Sequence, residues 1–345
     1  MRDKYILFAD GRSSHTLKWL KELTKYFDLY LITLNGCSKD IFEFLTKEKV
    51  FILNDKVDVN GGNVKLILKY FEIKKIVKEI KPKFINAHYL SSYGFLGSLI
   101  KREFKEIKLI QSTWGTDILI TPFANKINFY IAKYALKNAD LVTSDSYFMS
   151  DKIINICQKS EVMTFPFGLD EFKVTKYKKD EYLIYSNRAL VENYNIEKIV
   201  KWFATLDNEY KLIIANSGEL ADMLKSLVSK LNLTDRVTFA GFLNKQEQEL
   251  NYKKAKYYIS IPKSDSTSVS LLEAMSFGCY PIVSNLPANR EWVIDEFNGV
   301  FFSDDLKLPL EREDEDISLI NQKIVHKKAV FSNSIKEFVK RIESI

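Results

Sequence analysis

The chain has 345 residues, of which 46% are hydrophobic and 28% charged, and a net charge of +6 at pH 7. These proportions exclude a disordered chain, and no apolar run reaches the ~18–20 residues of a membrane span. Cys37, Cys157 and Cys279 are scattered, as are the three histidines, which excludes a disulfide framework and argues against a multi-histidine metal site.

The length predicts two domains, each with its own core. The charge is uneven between them. Residues 1–165 hold 26 Lys+Arg against 18 Asp+Glu, while residues 166–345 hold 25 against 27. A basic first half suggests an anionic neighbour, either membrane headgroups or a phosphorylated acceptor. The excess is too small, and the arginines too few, for nucleic acid.

A strand over 5–9 leads into the turn Asp10-Gly11-Arg12-Ser13-Ser14 and a helix over about 15–27, with Leu17, Leu20 and Phe27 on one face. A second strand follows over 28–34. Open α/β sheets begin this way, and their ligands sit beyond the strand ends. His15 is therefore either a contact for an acceptor or phosphate or an ordinary first-turn residue. Residues 64–81 are amphipathic. Val64, Ile67, Leu68, Phe71, Val77 and Ile80 form the predicted apolar stripe, and Lys65, Lys69, Lys75 and Lys78 lie on or near the other side. We read a core-packed helix with a solvated basic face, which still leaves lysines free to meet headgroups.

A strand over 84–87 ends at His88, a candidate site residue by that position. The strand over 108–113 is followed by Trp114-Gly115-Thr116-Asp117, where Asp117 is either a site carboxylate or a cap. Charged, patternless residues 173–180 read as a linker. The second half opens with a strand over 182–186 ending in Asn187-Arg188. A guanidinium fork at a strand end suits phosphate oxygens. A strand over 212–215 leads into Asn216-Ser217-Gly218-Glu219. Another over 235–241 leads into Phe242-Leu243, read either as a rest for a base or as plain core.

Residues 260–284 organise the rest. A strand ends at Pro262, and a polar loop carries Lys263 and Asp265. A helix over 269–277 has Ser268 as its predicted N-cap and Gly278 as its left-handed C-cap, and a strand follows over 280–283. Glu273 lies eight residues after Asp265 and roughly 6 Å along the helix from Val269. Two carboxylates so spaced can accept hydroxyl hydrogen bonds from two parts of one extended ligand. The first-turn N–H groups around Ser268, Val269 and Ser270 suit a phosphate between them.

This stretch resembles the signature segment of glycosyltransferase family 4, whose pattern is Glu, seven residues, Glu, then Ala-Met and Gly-x-Pro. Here Asp265 replaces the first Glu, and Glu273-Ala274-Met275, Gly278 and Pro281 follow. Pro166-Phe167-Gly168-Leu169-Asp170 is similar to the run that closes the family's first domain. Two departures stand out. Trp114 occupies the place of a common His, and Asn193-Tyr194 the place of a common Lys; Lys263 is the candidate substitute cation. The resemblance implies a GT-B fold, an α/β pair of facing Rossmann-like domains with an interdomain cleft. It assigns residues 1–172 with a terminal helix over 332–345 to the acceptor side, and 173–331 to the nucleotide sugar.

The resemblance also implies a retaining, metal-independent hexosyl transfer from a nucleotide-diphosphate sugar to a lipid-linked or surface-glycan acceptor. The nucleotide sugar is then a co-substrate and no other cofactor is expected. Asp117, Arg188 and Asp265 take the catalytic roles. Arg188, Gly218, Phe242, Leu243, Lys263, Asp265, Ser268, Val269, Ser270 and Glu273 hold the donor; Gly11, His15 and His88 face the acceptor. The expected location is cytoplasmic, at the inner face of the membrane if the acceptor lies there. Trp114 and the missing Lys motivate one rival, a non-catalytic nucleotide-sugar-binding subunit. A nucleotide-sugar epimerase on the same fold is the other.

Overall fold

The computed structural model describes residues 2–53, 68–158, 162–308 and 315–345. The chain divides into two compact units, Met1–Phe167 with Ser332–Ile345, and Gly168–Phe331.

The first unit holds β1 (Lys4–Phe8), β2 (Asp28–Thr33), β3 (Val50–Ile52), β4 (Phe84–His88), β5 (Lys108–Ser112), β6 (Leu141–Ser144) and β7 (Met163–Thr164). They form one parallel sheet in the order β3-β2-β1-β4-β5-β6-β7. The connecting helices are α1 (Ser14–Leu23), α2 (Tyr70–Ile80), α3 (Phe95–Glu103), the short α4 (Thr116–Leu119) and α5 (Thr121–Ala124), α6 (Lys126–Asn138) and α7 (Tyr147–Cys157). Parallel strands covered on both faces bury both sets of alternating side chains, so they read as near-continuous apolar runs. Ile6, Phe8, Ile32 and Ile85 pack with Ile73 and Val77 of α2 and Leu96 and Ile100 of α3. Val142 packs on the opposite side with Ala132, Ala135, Met149 and Ile153.

The second unit holds β8 (Asp180–Ser186), β9 (Lys211–Ala215), β10 (Val237–Gly241), β11 (Ala255–Ser260), β12 (Tyr280–Val283) and β13 (Val300–Phe301). These are also parallel, in the order β10-β9-β8-β11-β12-β13. Its helices are α8 (Ile196–Phe203), α9 (Ala221–Lys230), α10 (Lys245–Lys254), α11 (Val269–Ser276), α12 (Pro287–Arg290) and α13 (Glu315–Lys328). Neighbouring residues on one strand feed opposite cores, as the pleat requires. Ile184 and Ile282 join one cluster, while Tyr185 and Val283 join the other. The last helix, α14 (Phe331–Glu343), sets Phe338 edge-on against Trp19 of α1, with ring centroids 5.2 Å apart.

The predicted stripe of α2 is corrected by the structure. Val64, Lys65 and Ile67 lie outside the described residues. Leu68 and Phe71 are 74% and 73% exposed, and the buried face is Ile73, Ile76, Val77 and Ile80. Phe71 sits two positions before Ile73, about 200° around a helix of 3.6 residues per turn, so one face cannot hold both. The predicted stripe took in Leu68 and Phe71 and left out Ile73 and Ile76, and so missed this phase.

Candidate active site

Both sheets change strand direction of progression once, between β1 and β4 in the first unit and between β8 and β11 in the second. Such a switch point opens a crevice beyond the carboxyl ends of the strands. Asp10, Gly11 and His15 follow β1, and His88 ends β4. Asn187 and Arg188 follow β8, and the loop bearing Asp265 follows β11.

The second unit gathers most of the predicted donor residues. Ser268 caps α11, accepting a hydrogen bond from the Leu271 N–H. The first-turn N–H groups of this helix have no intrahelical partner, so its positive end faces the crevice. Gly278 ends the helix at φ +74, a conformation that a side chain strains, and a Cβ there would fall 2.0 Å from Ser318 Oγ of α13. Arg188 lies against this cap. Its Nη2 donates to Asp265 Oδ2 at 2.7 Å and its Nη1 to Ser268 Oγ at 2.5 Å, and its guanidinium lies over the Tyr194 ring at 4.2 Å. Burial opposes the charge on Arg188, yet Asp265, Tyr258 and Tyr194 outweigh it and hold the group protonated. Burial also lifts the Asp265 carboxyl above its usual range, against the pull of Arg188.

Asn193 and Tyr194, in the place of the missing Lys, have structural work of their own. Tyr194 supplies the face under Arg188. Asn193 accepts the Lys263 N–H at its carbonyl and donates from Nδ2 to the Ser264 carbonyl, fixing the Asp265 loop to β8's exit. The Lys263 side chain pairs with Glu192 on the surface, so it is not turned toward Arg188 as a second phosphate cation. Gly218 packs on the main chain of Leu190, where a Cβ would meet the Leu190 carbonyl oxygen at 2.4 Å. Phe242 is 77% exposed, whereas Leu243 packs partly against the core around Tyr252.

Glu273 rests on a network that the sequence did not reveal. The buried Tyr252 hydroxyl donates to Glu273 Oε2 at 2.9 Å and accepts from Asn187 Nδ2 at 2.8 Å; the Tyr258 hydroxyl donates to Asn187 Oδ1 at 3.0 Å. Tyr252 also stacks on Phe277, with centroids 5.8 Å apart. Its one faint signal is a lone aromatic in the mostly polar run of α10, KQEQELNYKK.

In the first unit Gly11 ties the loop after β1 to the loop after β2, its N–H donating to Thr33 Oγ1 and its carbonyl accepting from Ser38 N–H. His15, His88 and Trp114 form an aromatic cluster. The Trp114 ring lies 4.8 Å from His15 and 5.2 Å from His88, and Phe167 meets the His15 ring edge-on at 4.2 Å. Asp117 does not extend into this cluster as a free carboxylate. It is 1% exposed; Oδ1 accepts from the Trp114 and Gly115 N–H groups and Oδ2 from that of Leu90. Its expected contact with a transferred sugar is corrected accordingly: Asp117 holds two loops together behind Trp114. Burial raises its pKa to about 6, less than it otherwise would because the main-chain donors favour the anion.

Residues 4–146 match the family described as Glycosyl transferase 4-like, and residues 168–307 match Glycosyl transferases group 1. The chain belongs to the glycosyltransferase family 4-like proteins of GT-B fold. This glycosyltransferase is 26% identical to an uncharacterized glycosyltransferase of Methanocaldococcus jannaschii, over 97% of the chain and 92% of that protein. It is 25% identical to the alpha-monoglucosyldiacylglycerol synthase of Streptococcus pneumoniae, over 66% of the chain and 57% of the relative. Its fold is similar to that of Anabaena HepE, solved in complex with UDP, at a TM-score of 0.77, with 14% identity and complete coverage of both chains.

The first unit of this glycosyltransferase carries a pH signature. Burial lowers the pKa of His15 to about 4 and of His88 to about 3, from 6.5, with Lys18 adding to the first and His15 to the second. Depressed imidazoles give stability that is present above pH 6.5 and lost as pH falls toward the folded values, by about 1.4 kcal/mol per unit each. Asp117, raised, acts in the opposite sense between about 6 and 3.8. Two histidines against one carboxyl leave a net loss of about 1.4 kcal/mol per unit from pH 6 to 4. The unfolding midpoint should fall steadily over that interval; a flat profile would show the imidazoles to be solvated.

Proposed function

We propose that this glycosyltransferase moves a hexose, with retained configuration and without a metal, from a nucleotide-diphosphate sugar to a hydroxyl of a membrane-lipid or surface-glycan acceptor. The observation that carries the donor half is the convergence of Arg188, Asp265, Ser268 and Glu273 at the switch point of the second sheet. Glu273, held by Tyr252, accepts hydrogen bonds from ribose hydroxyls. Arg188 and the N–H groups of Val269 and Ser270 receive the diphosphate. Charge placed where it develops in the transition state is the largest single source of such catalysis.

The donor's C1–O bond breaks, and its electron pair stays on the diphosphate. The acceptor oxygen bonds to C1 on the same face, and its proton passes to a leaving phosphate oxygen. Arg188 meets the phosphate by loosening its contact with Asp265, and Asp265 is then free to accept from hydroxyls of the sugar. UDP in the Anabaena neighbour supports a nucleotide diphosphate. The glycolipid named for the Streptococcus relative supports a lipid-type acceptor. Among the described residues no helix is long and apolar enough to cross a membrane.

Thermal shift against a panel of nucleotide sugars identifies the donor, because only a ligand that binds the folded state raises the midpoint. The chosen donor should then release nucleotide slowly in water and faster with acceptor, and EDTA should leave both rates unchanged. Loss with EDTA that Mn²⁺ restores would overturn the metal-free step. Tight binding with no release would favour a binding subunit, and an altered sugar formed without acceptor an epimerase.

A further inference from the structure

We infer that Gln248 is a positioning residue that joins the two halves of the nucleoside site, the carboxylate of Glu273 and the loop of Phe242 and Leu243. This rests on the donor reading above and deepens it. Gln248 is half-buried in the first turn of α10, and its amide is engaged at both ends. Nε2 donates to the Leu243 carbonyl at 3.2 Å, and Oε1 accepts from Asn187 Nδ2 at 2.5 Å. One side chain therefore bridges the loop after β10 to the exit of β8.

Asn187 is the hub of this bridge. Its two Nδ2 hydrogens go to Gln248 and to the Tyr252 hydroxyl, and its Oδ1 accepts from the Tyr258 hydroxyl. Its carbonyl accepts from Asn216 Nδ2 at 3.2 Å. At 7% exposure and with both amide hydrogens spent, Asn187 has no side-chain donor left for a ligand. It acts as a relay instead. Leu243, Gln248, Asn187, Tyr252 and Glu273 form one unbroken chain of hydrogen bonds, and a fully satisfied network of this kind is rigid.

The loop after β10 has need of such a support. Gly241 leaves the strand at φ +69, and a Cβ there would meet nothing within 4 Å, so no packed atom holds the turn from that side. The pairing of β10 with β9 also shifts register between Phe239 and Gly241. The Asn216 N–H donates to the Gly241 carbonyl at 2.5 Å, and the Phe242 ring beyond it stands mostly in solvent. Asn244 caps α10 through a reciprocal bond with Glu247, which fixes the helix from which Gln248 reaches back. A base laid on this loop meets main chain whose direction Gln248 sets. A ribose hydroxyl meets a carboxylate placed through the same amide. Recognition of base and ribose is thereby coupled before any ligand arrives.

Calorimetry on the full chain with UDP, GDP and ADP tests this. The wild type should favour one base by about tenfold or more. Gln248→Glu keeps an oxygen for Asn187 but has no hydrogen for Leu243. It should weaken the favoured nucleotide about fivefold and shrink the preference to about threefold. Gln248→Met keeps the side-chain length and loses both bonds, so its loss should be about tenfold or more. Joined to Tyr252→Phe, it should weaken binding by less than the product of the two single losses, because both act through Asn187. Unchanged affinity in both Gln248 variants would overturn the inference. So would an equal loss on all three nucleotides that keeps the preference, which is what a merely structural role produces. Equal binding of the three bases by the wild type, or a double variant showing the full product, would overturn it too. Failure of all three to bind the wild type would count against the donor reading itself and take the inference with it.

Discussion

Replacing Arg188 by Ala should lower transfer about a thousandfold and cost the second unit about 3 kcal/mol of stability. The two effects have separate origins. On the proposed reading, the rate falls because the group that meets the leaving diphosphate is gone. The fold weakens because Asp265, whose charged partner among the described residues is Arg188 at 2.7 Å, stays inside without compensation. Adding Asp265→Asn removes the stranded charge, so the double variant should regain most of the stability and none of the activity. Urea unfolding and a donor-turnover assay on the three proteins check this. Recovery of both quantities together would mean that Arg188 serves only the fold.

Glu273→Ala should weaken donor binding by about ten- to a hundredfold, as expected for losing hydrogen bonds to a charged group. The helix should survive, since Ala is a good helix former and Tyr252 can turn its hydroxyl to the Ser270 carbonyl, already 3.4 Å away. Tyr252→Phe reaches the same site from behind. It removes the hydroxyl that fixes Glu273 and leaves the donor KM raised several-fold with kcat little changed. In the Glu273→Ala background the tyrosine change should have almost no further effect on KM, because its influence passes through the carboxylate. Additive losses in that cycle would place Tyr252 in direct contact with the ligand or in the core alone.

The parts of this chain that sequence makes legible are those written in local chemistry. The Ser268 cap, Gly278 at positive φ and the flanking strands β11 and β12 follow from neighbouring residues, and the structure has all of them. The two parallel sheets follow from alternating strand and helix patterns. What was hidden depends on distance along the chain. Nothing near Asp265 announces that Arg188, 77 residues earlier, will hold it, and nothing near Glu273 points 21 residues back to Tyr252. The phase of α2 was hidden for another reason: composition reports how many apolar residues a helix has, and only packing decides which of them it hides.

The pairing of Arg188 with Asp265 bears on how a catalytic cycle would end. An intact donor, on the proposed reading, repays the broken contact twice, with phosphate for the guanidinium and sugar hydroxyls for the carboxylate. A spent nucleotide diphosphate can do only the first, leaving Asp265 stranded until Arg188 swings back. On that reading the ion pair opposes the spent nucleotide more than the intact donor, and so favours departure of the by-product and readiness for the next round.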